Sequence, residues 1–77
     1  MAERTVGYNL MLLRCEAHKS QRDVADHIGV TVQMVSQYEQ GVKKLPYSTA
    51  VRLCSFFGCS LEDFHKEVPH ERETGNA

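Results

Sequence analysis

The stretch SQRDVADHIGVTVQMVSQYEQG, from Ser20 to Gly41, holds two short helical patterns, each between its own start and stop signals. Ser20 and Asp23 form the S-x-x-D pattern of a capping box, in which side chains satisfy the free backbone donors at a helix start. Gly29 can take the left-handed conformation in which helices commonly end. Thr31 is a favourable N-cap for the next helix, which Gly41 ends. The stretch therefore predicts two helices joined by a tight turn.

The other apolar residues also recur at helical spacing. The stripe that predicts a first helix consists of Val6, Leu10, Leu13 and Ala17. The stripe that predicts a fourth helix, begun near Pro46 and closed by Gly58, consists of Ala50, Leu53, Cys54 and Phe57. Ser60 and Asp63 repeat the capping pattern and predict a fifth helix. Because no segment of any length has a strand pattern, the sequence predicts an all-α fold of five short helices.

A chain of 77 residues is one domain near the size at which a single core only just supports folding. We predict that this domain spans residues 1–68 and that residues 69–77 form a polar C-terminal tail. The predicted core residues are Leu10, Leu13, Val24, Ile28, Val35, Tyr38, Leu53, Phe57 and Phe64. No apolar run is long enough to cross a bilayer and no charged-then-apolar leader opens the chain, so we expect a cytoplasmic protein without membrane contact.

The three cysteines are Cys15, Cys54 and Cys59, an odd number that argues against a disulfide framework when no secretory signal is present. The alternative is a metal site that uses Cys15 with His18, or Cys54 and Cys59 with His65. However, the sequence has no CxxC pair, and Cys15 and Cys54 lie among apolar helix positions, where a free cysteine behaves as a small hydrophobic residue. We therefore expect neither a metal ion nor a cofactor.

The net charge of −1 combines two parts of opposite sign. Residues 1–59 carry seven basic and five acidic side chains, whereas residues 60–77 carry two basic and five acidic ones. A protein that binds a polyanion often has a larger basic excess, so any basic surface here must be local. The sequence offers no Ser-His-Asp set, pair of catalytic carboxylates or phosphate-cradling glycine loop, and we expect no enzymatic activity and no small-molecule ligand.

The second helix of the opening stretch combines an apolar back with a polar front. Val35 and Tyr38 point towards the predicted core, and the residues that point the other way are Gln33, Ser36, Gln37 and Gln40. These amides are either merely solvated or suited to reading DNA, because a glutamine both donates to and accepts from the major-groove edge of adenine. A helix pair of this kind is a helix-turn-helix, whose second helix enters the major groove.

The segments LRCEAHKSQRDVADHIGVTVQMVSQYEQGVKKLP and LCSFFGCSLEDF resemble the Cro and phage-repressor helix-turn-helix family. The resemblance covers about residues 8–64 and includes S-Q at the start of helix 2, G-V-T at the turn and Q-x-E-x-G at the end of helix 3. It implies a compact, repressor-like domain of five helices, in which helices 2 and 3 form the helix-turn-helix. It also implies that the partner is a double-stranded DNA operator.

The resemblance further implies roles for individual residues. The implied base contacts are Val32, Gln33, Ser36 and Gln37. The implied phosphate contacts are Gln21, Thr31, Gln40, Lys43 and Lys44. Arg14 and Glu39 match a structural ion pair between helix 1 and the end of helix 3. Val32 and Met34 depart from the more usual polar residues at the start of helix 3, and Val32 can contact a thymine methyl group.

Two functional classes remain open. The first is a DNA-binding transcriptional regulator, a repressor or autoregulator, that binds as a homodimer because one monomer reads too few base pairs to find its site. Its dimer contact is expected at the C-terminal end of the domain, at exposed apolar residues such as Phe56, Leu61 and Val68. The second is a protein-interaction module of the same fold, which binds a partner through its acidic helix 5 and tail and has lost DNA binding.

Overall fold

The computed structural model of the protein describes residues 2–67, with side chains from residue 4 onward. Its four α-helices are α1 (Ala2–Glu16), α2 (Gln21–Ile28), α3 (Val32–Gln40) and α4 (Tyr47–Phe57), and a 3-10 helix follows at Leu61–Phe64. This range contains no strand, and none of its helices is both long and apolar enough to span a membrane. The prediction of an all-α fold is thus confirmed for residues 2–67. The predicted tail at 69–77 and the predicted dimer contact Val68 lie outside the described residues.

The helix pair of the opening stretch begins and ends where its signals predict. Ser20 Oγ accepts the backbone N–H of Asp23 at 3.0 Å, and the Asp23 carboxylate accepts the backbone N–H of Ser20 at 2.8 Å, so the capping box is complete. Thr31 Oγ1 accepts a backbone N–H of α3 at 3.1 Å. Gly29 and Gly41 adopt φ angles of 75° and 78°, the left-handed region that strains any residue with a Cβ. Local sequence therefore sets both ends of each helix.

The predicted fifth helix is a 3-10 helix of four residues, so the count of five helices is not confirmed. Its start follows the prediction, because Ser60 donates its backbone N–H to Asp63 at 3.0 Å. However, the N–H of His65 bonds to the carbonyl three residues earlier, at 2.9 Å, which is the tighter 3-10 spacing. Phe64 is only 1% exposed at the end of this turn. The segment thus places one aromatic side chain in the core without forming an α-helical turn.

The core lies where the helices and the 3-10 turn meet. Its buried hydrophobic residues are Leu10, Val24, Ala25, Ile28, Val35, Tyr38, Leu45, Ala50, Leu53 and Phe64. Seven of the nine predicted core residues belong to this set, whereas Leu13 and Phe57 pack against it half-buried. Leu45 was not predicted, because it lies in the loop between α3 and α4, where no periodic pattern marks a residue as inward-facing.

The first helix crosses the carboxyl end of α3 in very close contact. A Cβ atom at Gly7 would lie 2.2 Å from the carbonyl oxygen of Tyr38 and 2.8 Å from that of Glu39, so only glycine permits this approach. The contact positions the remainder of α1 along α3. It therefore also sets which side chains of α1 can reach the end of α3.

The one buried polar residue in the described range, Asn9, joins α1 to the C-terminal segment. Its Nδ2 donates to the carbonyl oxygens of Phe64 and Lys66, both at 2.9 Å. These two bonds satisfy backbone acceptors just after the 3-10 helix, where no further helical turn provides donors. Asn9 thus holds the end of the described chain against α1.

Candidate nucleic-acid interface

The turn between α2 and α3 fixes how the two helices meet. The N–H groups of Gly29 and Val30 both donate to the carbonyl oxygen of Ala25, at 2.8 and 3.0 Å. Val35 and Tyr38 on the back of α3 are 0% and 5% exposed, since they face the core that α2 also lines. Helix α3 is therefore held by its apolar side, and its opposite side is open to solvent.

The four implied base contacts lie on or beside the open side of α3. Gln33 is exposed, and Gln37 lies one helical turn further along, half-buried. Ser36 is half-buried, and its Oγ accepts the Nε2 of Gln40 at 3.1 Å. Val32 is partly buried and packs against the core, so the first residue of α3 contributes to packing as well as to the surface. The open side thus presents amides and a hydroxyl rather than charges.

Three helices meet at the Glu39 carboxylate. Arg14 from α1 donates its Nε to Glu39 Oε2 at 2.6 Å and its Nη2 to Oε1 at 3.4 Å. Gln21 from α2 donates its Nε2 to the same Oε1 at 2.9 Å. The Arg14 and Glu39 side chains are only 15% and 7% exposed. The hydrogen bond to Glu39 raises the pKa of Arg14 above its ordinary value. This network fixes α3 relative to both preceding helices.

Gln21, which the sequence suggests as a phosphate contact, is therefore also a structural residue. An amide NH₂ group has two hydrogens, and the bond to Glu39 uses one of them. No local pattern indicates this bond, because Gln21 and Glu39 are 18 residues apart and only the folded helix pair brings them together.

The loop after α3 carries Lys43 and Lys44, two of the implied phosphate contacts. The N–H groups of Val42 and Lys43 donate to the carbonyl oxygen of Gln37, at 3.0 and 3.2 Å, which folds the loop back against the helix end. Lys43 and Lys44 are both exposed. Thr31, at the opposite end of α3, has its hydroxyl oxygen occupied as the N-cap acceptor. Lys43 and Lys44 thus lie just after the carboxyl end of α3. At its amino end, the first backbone N–H groups have no acceptor within the helix.

Of the cysteines and histidines considered as metal ligands, Cys54 and Cys59 lie next to each other. Within residues 2–67 no group of three or more His, Cys, Asp or Glu side chains has the geometry to hold a metal ion. The thiol of Cys59 is partly buried next to Cys54, and burial raises its pKa to about 11. His27 stacks on the Phe56 ring, with 4.1 Å between ring centroids.

Phe56 and Leu61, named from the sequence as exposed dimer contacts, are both half-buried. Phe56 packs from α4 against His27 of α2, and the ammonium of Lys19 lies 4.9 Å from the centroid of its ring. The sequence missed these contacts because they join residues far apart in the chain. Within residues 4–67, the large hydrophobic side chains that are exposed are Leu12, Val42, Tyr47 and Val51.

The family model described as Helix-turn-helix matches residues 10–64 of the chain. Among solved structures, one of the clp gene regulator ClgR from Corynebacterium glutamicum is similar, with a TM-score of 0.76, 22% sequence identity and 83% of each chain covered. The hypothetical transcription factor NHTF from Neisseria also has a TM-score of 0.76 and 22% identity, over 96% of this chain and 84% of that one. No curated protein sequence matches the chain. At this identity the two structures show a shared fold.

Proposed function

The chain belongs to the helix-turn-helix family, and we propose that it is a sequence-specific transcriptional regulator that reads the major groove of double-stranded DNA with α3. The family and the regulators among the similar structures support a DNA-binding role rather than a catalytic one. The observation that carries the finer proposal is the orientation of α3. Its apolar side is buried while its amide-bearing side faces solvent, which is the arrangement that a reading helix requires.

Gln33 and Gln37 are the proposed base readers. They lie one turn apart, so both amides can reach base edges in the same groove. Each amide can pair with adenine through two hydrogen bonds, and such a pair discriminates by about 1–3 kcal/mol against a wrong base. Val32 can contact a thymine methyl group. The hydroxyl oxygen of Ser36 accepts a hydrogen bond from Gln40, and its hydroxyl hydrogen can be donated to an acceptor on a base.

The proposed phosphate contacts hold α3 in register without reading sequence. Lys43 and Lys44 supply charge beside the carboxyl end of the helix. Gln21 can donate its second amide hydrogen to a phosphate. Thr31 lies at the amino end of α3, where free backbone N–H groups favour an anion. Gln40, whose Nε2 is bonded to Ser36, is the fifth proposed contact and offers the second hydrogen of that amide.

We further propose that the regulator acts as a homodimer, as a repressor or autoregulator. Two copies double the number of base pairs read, and their reading helices must lie about 34 Å apart, one turn of duplex. The surface that suits this contact includes Tyr47 and Val51 of α4, which are 72% and 45% exposed. Tyr47 also lines an apolar cleft of about 170 Å³, whose hydrophobic lining includes Leu61 and Phe64.

Selection of bound sites from a pool of random duplexes tests this function. We expect an enriched, two-fold symmetric sequence whose half-sites are one helical turn apart, or a multiple of one turn. The same protein analysed by sedimentation at micromolar concentration should have the mass of two chains. Enrichment of no sequence at low salt, where phosphate binding is strongest, would refute the function.

A protein-interaction module of the same fold is the second candidate. It is favoured by the net charge of −1 and by the acidic residues Glu62, Asp63 and Glu67 near the end of the described chain. Titration of random duplex across a salt series separates the two candidates. A DNA-binding regulator binds at low salt and weakens steeply as salt rises, whereas the interaction module shows no affinity at any salt concentration.

A further inference from the structure

The basic residues of the described chain divide into two groups of four. The side chains in the first group have partners within the protein. Arg14 pairs with Glu39, Lys19 lies over the Phe56 ring, Arg52 donates to a backbone carbonyl and Lys66 pairs with an aspartate. The side chains in the second group have no hydrogen bond or ion pair to another described residue, and they belong to Arg4, Arg22, Lys43 and Lys44. No described side chain competes with an external anion for these four cations.

Arg4 lies close to Lys43 and Lys44 on the surface. An ideal Cβ at Gly41 would lie 3.0 Å from the Cα and 3.3 Å from the backbone nitrogen of Arg4, so the two backbones are in direct contact. Gly7, one turn later in α1, touches the last carbonyls of α3, which explains why Arg4 lies just past the helix end. Lys43 and Lys44 follow Gly41 by two and three residues. Three exposed cations therefore surround the carboxyl end of α3.

We propose that Arg4 binds a DNA phosphate together with Lys43 and Lys44, and so extends the phosphate contacts of the loop onto α1. This inference rests on the proposed function, because it concerns the same DNA. The geometry gives it a physical purpose. The carboxyl end of a helix carries a partial negative charge, which repels phosphates near the point where α3 ends. In a chain with a net charge of −1, a local group of cations is needed to overcome that repulsion.

The size of the effect follows from counterion release. Each phosphate contact adds about 0.9 to the slope of log affinity against log salt concentration. If the gain vanishes near 1 M salt, one contact strengthens binding roughly eight-fold at 0.1 M. The gain is independent of sequence, because a phosphate contact carries no base information.

The test is a titration of Arg4→Ala on preferred and random duplexes at several salt concentrations. We expect both affinities to fall roughly eight-fold at 0.1 M and the salt slope to fall by about one. Arg4→Lys should keep most of the slope because it keeps the charge. Arg52→Ala is the matched control, since it removes the same charge from a guanidinium that is already bonded to the carbonyl of His27 at 2.8 Å. Its salt slope should equal that of the wild type.

The outcomes separate this inference from the function beneath it. If the wild type binds, Lys43→Ala lowers the slope and Arg4→Ala does not, the role of Arg4 is wrong while the function stands. An equal loss in Arg52→Ala also overturns the inference, because it would reveal an effect of net charge alone. If the wild type binds no duplex, the proposed function itself fails. Thermal unfolding of each variant shows whether an altered affinity reflects a change of fold.

Discussion

Replacing Glu39 with glutamine should destabilise the fold, because the carboxylate accepts bonds from two other helices. Arg14 Nε and Nη2 and Gln21 Nε2 all donate to it. A glutamine amide has one acceptor oxygen, and its NH₂ group would face at least one of these donors. A lost bond to a charged group costs about 1.5–3 kcal/mol, and an uncompensated buried charge costs about 3–5 kcal/mol. Because the Arg14 side chain is still 15% exposed, we expect a loss of about 3 kcal/mol, where the two ranges meet.

Urea denaturation measures this loss as a lower midpoint at unchanged slope. In a thermal scan the same loss corresponds to a fall of roughly 12–24 °C for a domain of this size. Glu62→Gln is the matched control, because it makes the same chemical change at an exposed residue and should leave the midpoint near that of the wild type. If Glu39→Gln unfolds within about 0.5 kcal/mol of the wild type, the pair behaves as an ordinary surface ion pair and the reasoning is refuted.

Three further predictions concern α1 and the helix caps. Gly7→Ala should destabilise by about 3 kcal/mol or more in urea unfolding, because its Cβ would lie 2.2 Å from the Tyr38 carbonyl oxygen; an unchanged midpoint would contradict the close packing. Asn9→Ala should cost about 1–3 kcal/mol in the same assay, since it leaves two backbone carbonyls without their donor, and a neutral effect would count against this role. The Ser20 backbone N–H lowers the pKa of Asp23, so the cap contributes stability above the ordinary aspartate pKa and loses it as pH falls through the lowered pKa. Asp23→Asn should therefore weaken the dependence of the urea midpoint on pH in the acid range. If that dependence is the same as in the wild type, the stabilising role of the Asp23 cap is contradicted.

The helix boundaries were predictable because their signals are local. Ser20, Thr31 and Gly29 act on backbone groups within a few residues, and each does in the structure what its position in the sequence predicts. The fifth helix shows the limit of this reasoning. Its capping signal is present, but Phe64 is drawn into the core after four residues, and this long-range contact leaves only a 3-10 turn.

Features that depend on distant residues were not predictable from pattern alone. Gly7 lies within α1 without any turn signal, and its role comes from carbonyls more than thirty residues later. Asn9 bonds across 55 and 57 residues, and Leu45 is buried within a loop. Arg4 likewise acquires its position beside Gly41 only when α1 crosses α3. The candidate base readers were accessible from sequence because one helix carries them all.

The measurement that tests the central proposal most directly is a pair of titrations, on the preferred site and on random duplex, of variants of α3 and of its loop. Gln33→Ala and Gln37→Ala should each weaken binding to the preferred site roughly 5- to 150-fold, the equivalent of 1–3 kcal/mol, and leave random-sequence affinity nearly unchanged. Lys43→Ala should weaken both alike and lower the salt slope by about one. If the glutamine variants lose specific and random affinity equally, these amides do not read bases, and α3 is not the reading helix in the way proposed.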